Sequence, residues 1–433
     1  VLQKYYEYEA SLQKIPQAGS LSDPELTAGV FLSPMELVTG NQVADIRLMQ
    51  MFPWFGVLKN AKDEMSLMAK ARYESFRDEK FQVLFDVQKV WYELHKIGNN
   101  IRISEENLAV LHTLERLTLV RYKTVSTVNP SSGGAINASP QANNPASPAM
   151  NNMGGNPGPT ETTQPPAMQG SSMGSSSGVT SLADLYRIQV EIGNLENNIA
   201  LLNNQIITIK AKFNAYLNRP ANAPVFISDT LKADTAAIVQ LAETDTMLTT
   251  NPMLRMIDYE QQSLDARERM VTRMGYPMIG AGINYSLINR NKMSASEMNG
   301  RDMLMPMVTI TLPIYRKKYK AMQTETALMK TANSQAYKAV SNGLQTQYYE
   351  AIQAYQDAER RIKLFKHQRM LTKKSLDIML KSFSASTAGA GLTDILSIQQ
   401  QLLDYEFKQI EALADYNTSI AWIRRLTAKT DNQ

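Results

Sequence analysis

Two aspartates occupy the same place in two nearly matching phrases. Leu182-Ala183-Asp184-Leu185-Tyr186-Arg187-Ile188-Gln189 is answered by Leu392-Thr393-Asp394-Ile395-Leu396-Ser397-Ile398-Gln399. A carboxylate in the first turn of a helix stabilises that helix through its dipole and by capping, roughly 0.3–1 kcal/mol. A second chemistry is collective. In a symmetric assembly, copies of one aspartate near a narrowing form a ring of negative charge that filters cations or sets a gate. Arg121 and Tyr122 precede the first phrase's turn, and Lys381 and Phe383 precede the second's. These side chains suit hydrogen bonds that hold helices together at the turns, or plain interface packing.

Other chemistry is sparse. The chain has 433 residues, three histidines and no cysteine. His95, His112 and His367 fall on long helical stretches, and no two share a metal-ligand spacing. Without cysteine there is no disulfide, thiolate metal site or thiol nucleophile. There is no Ser-His-Asp spacing, no phosphate-cradling glycine loop and no pair of carboxylates in a plausible pocket. Neither catalysis nor a cofactor or metal is therefore expected. The net charge of +4 is dispersed over helix faces and not gathered in a basic run, which argues against nucleic acid.

The elements that must position the aspartates are themselves duplicated. In the first copy, strands are expected at 24–33 and 43–51, then Phe52-Pro53-Trp54 and a long helix over 54–124. In the second, strands at 277–287 and 304–312 lead through Leu312-Pro313-Ile314 into a helix over 316–384. Each copy opens on a helix, 1–18 (ending near Pro16 and Gly19) and 251–273, and closes on a returning helix, 182–217 and 392–427. The chain thus reads as a first repeat, 1–217, a linker, 218–250, and a second repeat, 251–433. Within the linker, Pro224-Val225-Phe226-Ile227 has short-strand character and Ala236–Ala242 short-helix character.

The long helices carry heptad seams. Leu344, Tyr348, Ala351, Tyr355, Ala358, Ile362 and Phe365 step by four and three, and Leu84, Val87, Trp91, Leu94, Gly98 and Ile101 by three and four. The helix over 316–384 would span roughly 100 Å. The helices 251–273 and 392–427 together nearly match it, so one long helix can run antiparallel to two short ones stacked end to end. Asn251-Pro252 gives the second copy an N-cap with proline at the first helical position. Val1-Leu2-Gln3-Lys4-Tyr5-Tyr6 reads as already helical, so an upstream segment, with room for a targeting sequence and an anchor, is expected ahead of it.

The strands alternate with period two. Leu26, Ala28, Val30 and Leu32 share one face of the first, and Ala44, Ile46 and Leu48 one face of the second, opposite Asp45 and Arg47. Ile279, Ala281, Ile283, Tyr285 and Leu287 alternate with Gly280, Gly282, Asn284 and Ser286; Leu304, Val308 and Ile310 alternate with Met305, Met307 and Thr309. A turn-rich connection is expected over 34–41 and a polar loop over 289–302. No apolar run is long enough for a membrane helix, but each strand has about the ten residues that cross a bilayer when tilted. Phe52, Trp54, Phe55, Tyr276 and Tyr315 cluster near strand ends, where membrane barrels carry aromatic girdles. The other reading, hairpins half-buried on a soluble domain, lacks further strands to complete a sheet. Four strands do not close a barrel, since about eight is the smallest number that works. Copies must pool them: three give about twelve and a wide lumen, two about eight and a plugged one.

The order helix, hairpin, long helix, turn, helix, repeated once, resembles the TolC-like outer-membrane efflux factors of Gram-negative bacteria. The matching pieces are Asn251-Pro252-Met253-Leu254, the junctions Met51-Phe52-Pro53-Trp54 and Thr311-Leu312-Pro313-Ile314, Arg121-Tyr122, and the two Leu-x-Asp-x-x-x-Ile-Gln turn exits. The proline junctions also resemble the heavy-metal branch of that family. The resemblance covers essentially the whole chain. It implies a mainly α fold with a membrane β-barrel portion: a homotrimer whose twelve-stranded β-barrel in outer-membrane lipid continues as a periplasmic twelve-helix α-barrel. It implies a passive exit duct for tripartite efflux or type I secretion-like transport. The partners would be a periplasmic adaptor (membrane fusion) protein and an inner-membrane pump, with a gate at the periplasmic tip. Family aspartates at the place of Asp394 line the entrance, which favours Asp394 over Asp184. Where relatives carry a second aspartate one turn on, this chain has Ser397.

One departure is large. Between Tyr122 and Thr180 the family's short turn is replaced by a tract rich in Asn, Ser, Pro, Gly and Ala, with Met150, Met153, Met168 and Met173. Such a composition does not bury a core, so 127–180 is expected to be disordered, with its methionines mostly filler and not Cu(I) ligands. The second tip, 385–391, is short and glycine-rich. The rival from another class is a periplasmic coiled-coil adaptor without a pore. Adaptors add a lipoyl-like or small barrel domain for which this chain has no room.

Overall fold

The computed structural model describes residues 1–37, 39–127, 182–227, 231–234, 244–293, 295, 297–385 and 391–428. The first copy comprises α1 (Leu2–Gly19), β1 (Glu25–Leu37), β2 (Gly40–Phe52), α2 (Val57–Thr127) and α3 (Leu182–Tyr216). After α4 (Thr244–Thr250) come α5 (Pro252–Met274), β3 (Met278–Asn289), β4 (Met303–Thr311), α6 (Arg316–Ser384) and α7 (Leu392–Thr427). Thr127 closes α2; the rest of the tract expected over 127–180, the short helix at 236–242 and most of the second tip lie outside the described residues. The chain divides into two compact units. One is Val1–Asn99, Asn204–Leu364 and Gln409–Gln433; the other is Asn100–Asn203 and Phe365–Lys408. Helices α2, α3, α6 and α7 contribute to both.

In the first unit the two hairpins merge. The strands form one antiparallel sheet in the order β1-β2-β3-β4. The β2–β3 ladder runs from Asn41↔Asn289 to Phe52↔Ile279 and joins the copies. The junction from sheet to α2 requires a glycine. Gly56 has φ +85°, and a Cβ there would fall 1.6 Å from Arg273 Nη1, which donates to the Phe55 carbonyl at 3.3 Å.

Helix α6 runs antiparallel to α5 and to the C-terminal half of α7. Lys330 Nζ lies 2.7 Å from Asp265 and 2.9 Å from Glu268 on α5, and Asn333 donates to the Ile257 carbonyl at 3.0 Å. Arg361 reaches Asp415 on α7 at 2.7 Å. The two short helices meet end to end against α6: Asn251 Nδ2 donates to the Leu426 carbonyl and Thr250 Oγ1 to that of Thr427. Asn251 Oδ1 in turn accepts from Met253 N at 2.9 Å, which caps α5. The seam residues Leu344, Tyr348, Ala351, Tyr355 and Ala358 are buried here with Leu254, Tyr416, Ile420 and Leu426. In the first copy, α1 lies antiparallel to α2, with Tyr5 against Phe76 and Tyr8 against Tyr73 at 5.7 and 5.3 Å between ring centroids; Trp91 meets Phe213 of α3 at 5.4 Å.

The second unit is a four-helix core. Leu111, Leu114, Ile188, Ile192, Leu376, Phe383, Ile395 and Leu402 are buried together. A polar layer crosses it. Gln399 Nε2 donates to Asn107 Oδ1, and Arg369 Nε reaches Glu406 at 3.0 Å.

Helix α1 takes in Pro16 and ends at Gly19. Three expectations are corrected. Strand β1 runs through Pro34 to Leu37, so the broad connection over 34–41 is in fact a tight turn before Gly40. Proline is tolerated there because the β1–β2 ladder is irregular between Val30 and Met35, where Pro34 has no partner on β2. Pro224–Ile227 forms no strand. Leu84 is exposed, and the buried stripe of α2 runs through Val90, Leu94 and Ile97. Neighbours on more than one side make that stripe wider than a two-helix seam.

Candidate functional site: the sheet wall and the helix turns

The sheet sorts its side chains cleanly. Leu26, Leu48, Ile283 and Pro306 stand in one row across the four strands, and Ala28, Ile46, Tyr285 and Leu304 in the next. Most of this face is exposed; Leu26, Val30, Val308 and Ile310 are 60–75% accessible. Alternate rows carry Thr27, Arg47, Asn284 and Met305, then Gly29, Asp45, Ser286 and Met303. One face is therefore apolar and the other polar. The apolar patch exceeds what a water-facing surface of a monomer carries. Among the described residues, β1 and β4 each pair on one side only.

The five aromatic candidates gather at one end of the sheet, where β2 and β4 leave it and β3 begins. Trp54 stacks on Tyr276 with centroids 5.4 Å apart and planes at 19°, and Phe55 meets Trp54 edge-on at 5.9 Å. Phe52, Phe55, Tyr276 and Tyr315 are exposed. Among these rings Trp54, Tyr276 and Tyr315 combine an apolar body with a polar tip, as the edge of an apolar layer requires.

At the turns of the second unit the candidates are only partly brought together. Arg121 Nη1 donates to the Phe383 carbonyl at 3.1 Å, and its guanidinium carbon lies 4.7 Å from the centre of the buried Phe383 ring. This contact ties the end of α2 to the end of α6 by a charge-assisted hydrogen bond and a cation–π contact. Asp394 Oδ2 accepts the Gly391 N–H at 3.3 Å, the N3-to-N-cap half of a capping box. Ser397 Oγ donates to the Asp394 carbonyl. Asp184 lies 3.8 Å from Arg187, and Arg187 Nη1 donates to Thr393 Oγ1 at 2.9 Å. Tyr122 and Lys381 are exposed, and Lys381 sits in the last turn of α6, where its charge suits the helix dipole.

Arg187 is the functional candidate that sequence reasoning missed. The signal was there: the two phrases differ at their sixth position, Arg187 against Ser397, one turn after the aspartate. His95 is packed, buried edge-on to Trp91 at 4.6 Å, whereas His112 lies beside Glu115 and His367 is exposed.

No protein-family model matches the sequence, and no curated protein does. Solved structures resemble it along nearly its whole length. The outer membrane protein VceC of Vibrio cholerae superposes with a TM-score of 0.67 over 98% of this chain and 92% of its own, at 11% identity. CusC, whose structures describe transmembrane channel formation, gives 0.70 over 98% and 88% at 10% identity. The open-state outer membrane channel MtrE of Neisseria gonorrhoeae gives 0.66 over 98% and 85% at 11% identity. At such identities it is the fold that is shared. The chain shares its overall arrangement of strands and long helices with these proteins.

Proposed function

We propose that the protein is a passive exit duct of a Gram-negative outer membrane. Three copies pool their strands into a barrel of about twelve in lipid. The helices continue into the periplasm as an α-barrel whose turns form the gate. Cargo is driven by an inner-membrane pump joined through a periplasmic adaptor.

The observation that carries this reading is the sheet: most of its apolar face is exposed, and among the described residues both outer strands have an open edge. Open edges are tolerated in lipid only when other strands close them, and a heterologous contact repeated about an axis does so. Likeness to MtrE and VceC supports the same reading. Among gate candidates, the Arg121–Phe383 tie and the carboxylate of Asp394 have the most suitable chemistry.

The test is purification in detergent followed by reconstitution into planar bilayers. The expected result is an oligomer that changes mobility on boiling and conducts potassium nitrate. A monomer that stays soluble without detergent and never conducts would instead fit a coiled-coil adaptor.

A further inference from the structure

The polar face of the sheet carries a chemistry that conduction alone does not use. Strand register fixes where its methionines lie. Met49, Gly282 and Met307 form one row across β2, β3 and β4, and Met51 pairs with Gly280 in the next. Met305 and Met303 continue the same face beside Asn284 and Ser286, and Met278 begins it opposite Thr311. Met35 faces Gln42, whose amide donates to Ser286 Oγ, which places it there too. Every methionine of the four strands thus shares a face with Asp45 and Arg47, and none stands in the rows of Leu26, Leu48, Ile283 and Ile310; Ile288 joins the methionine face in the row of Met35 and Gln42. Methionine used as apolar filler belongs toward lipid. The partition runs the other way.

Two of the thioethers lie side by side. The Met51 sulfur is 2.6 Å, and the Met49 sulfur 3.3 Å, from the point where a Cβ on Gly280 would stand. The Met49 sulfur also lies 3.0 Å from that point on Gly282. The two glycines leave open the space that the sulfurs occupy. Met307 flanks Gly282 on the other side, and Glu25 stands across β1 from Met49 with a carboxylate on the same face. Thioether sulfur is a soft, neutral donor that favours Cu(I), and by the same softness Ag(I), over hard cations.

We propose that Met49, Met51 and Met307 form a thioether site for a soft monovalent cation on the polar wall of the sheet. It rests on the duct reading only in that this wall then lines the lumen, which makes such a cation a cargo or a blocker.

Silver ion is the probe, because it is stable in air; the buffer is nitrate, free of chloride. Equilibrium dialysis of the full chain in detergent measures binding. The triple variant Met49→Leu/Met51→Leu/Met307→Leu keeps side-chain volume and is expected to bind Ag⁺ at least about tenfold more weakly. Met51→Leu alone is the milder variant and is expected to weaken binding about threefold. Converting Met150, Met153, Met168 and Met173 to leucine is expected to leave binding unchanged. Wild-type affinity in both sheet variants, or loss in the tract variant, overturns the site. In bilayers, Ag⁺ is expected to block the potassium current of the wild type and not that of the triple variant. A chain that conducts potassium without binding Ag⁺ overturns the site and leaves the duct. Sheet-dependent Ag⁺ binding without conductance supports the site and overturns the duct.

Discussion

Asp184 and Asp394 stand at the same place in their repeats and meet different surroundings. Asp184 has a guanidinium one turn on, and Arg187 also reaches across to Thr393. Asp394 has Ser397 at that position, no Lys or Arg within ion-pairing distance among the described residues, and a backbone N–H for a partner. The ends of the long helices differ in the same way. Arg121 is engaged with Phe383, whereas Lys381 is exposed. Duplication kept the aspartate and let its neighbours diverge. Asp394 has no side-chain cation among the described residues, and the cationic tie comes from Arg121 of the first copy.

The largest effect is expected from Arg121→Ala, which removes a charge-assisted hydrogen bond and a cation–π contact, together about 2–4 kcal/mol locally. Mean current in planar bilayers should rise several-fold, while the corresponding Lys381→Ala should change it less than about twofold. Equal responses would erase the difference between the two helix ends. Next comes Asp394→Asn, expected to relieve block of the current by divalent cations more than Asp184→Asn does; the reverse order would return Asp394 to a plain capping role. Ser397→Arg copies the pairing of the first repeat onto the second. It should shift divalent block in the same direction as Asp394→Asn, by less, because an exposed ion pair neutralises only part of a charge.

The smallest effect concerns the long helices themselves. Around α2, burial holds the carboxyls of Glu64, Asp78 and Glu260 above the usual range, against the opposing pull of Arg267, Arg425 and Arg72 respectively. The α5–α6 contact, by contrast, uses half-exposed pairs such as Arg267–Glu325. A carboxyl with a raised folded pKa stabilises the fold below its unfolded pKa, and that contribution is lost as pH rises through the folded value. Asp78→Asn should therefore raise the melting midpoint by about 1–3 °C at pH 7 and by nothing near pH 3. A gain of the same size at both values would mean that Asp78 is not the group held above its usual range.

Much of this architecture is legible in residues alone where local and long-range signals agree. Arg316–Ser384 and Leu392–Thr427 are bounded by proline and glycine, so periodicity and breakers mark the same limits. Leu84 misleads because α2 has neighbours on several sides. Pro34 misleads because a turn signal carries no information on whether a strand takes up the proline at an irregular stretch of its ladder. Joining of the two hairpins through β2 and β3 is a contact between residues more than two hundred apart, and alternation does not encode it. The candidate site divides likewise. The aspartates are visible as a repeated phrase, but the Arg121–Phe383 tie depends on two helix ends meeting, and the methionine face on register across three strands.

The most direct test of barrel closure between copies uses the absence of natural cysteine. Leu26→Cys on β1 together with Val308→Cys on β4 places single thiols on the two outer strands. Treatment with a short bis-maleimide in the membrane, followed by a denaturing gel, should give dimers and trimers and no larger species. Monomer alone, or a ladder continuing past three, would contradict closure by three chains.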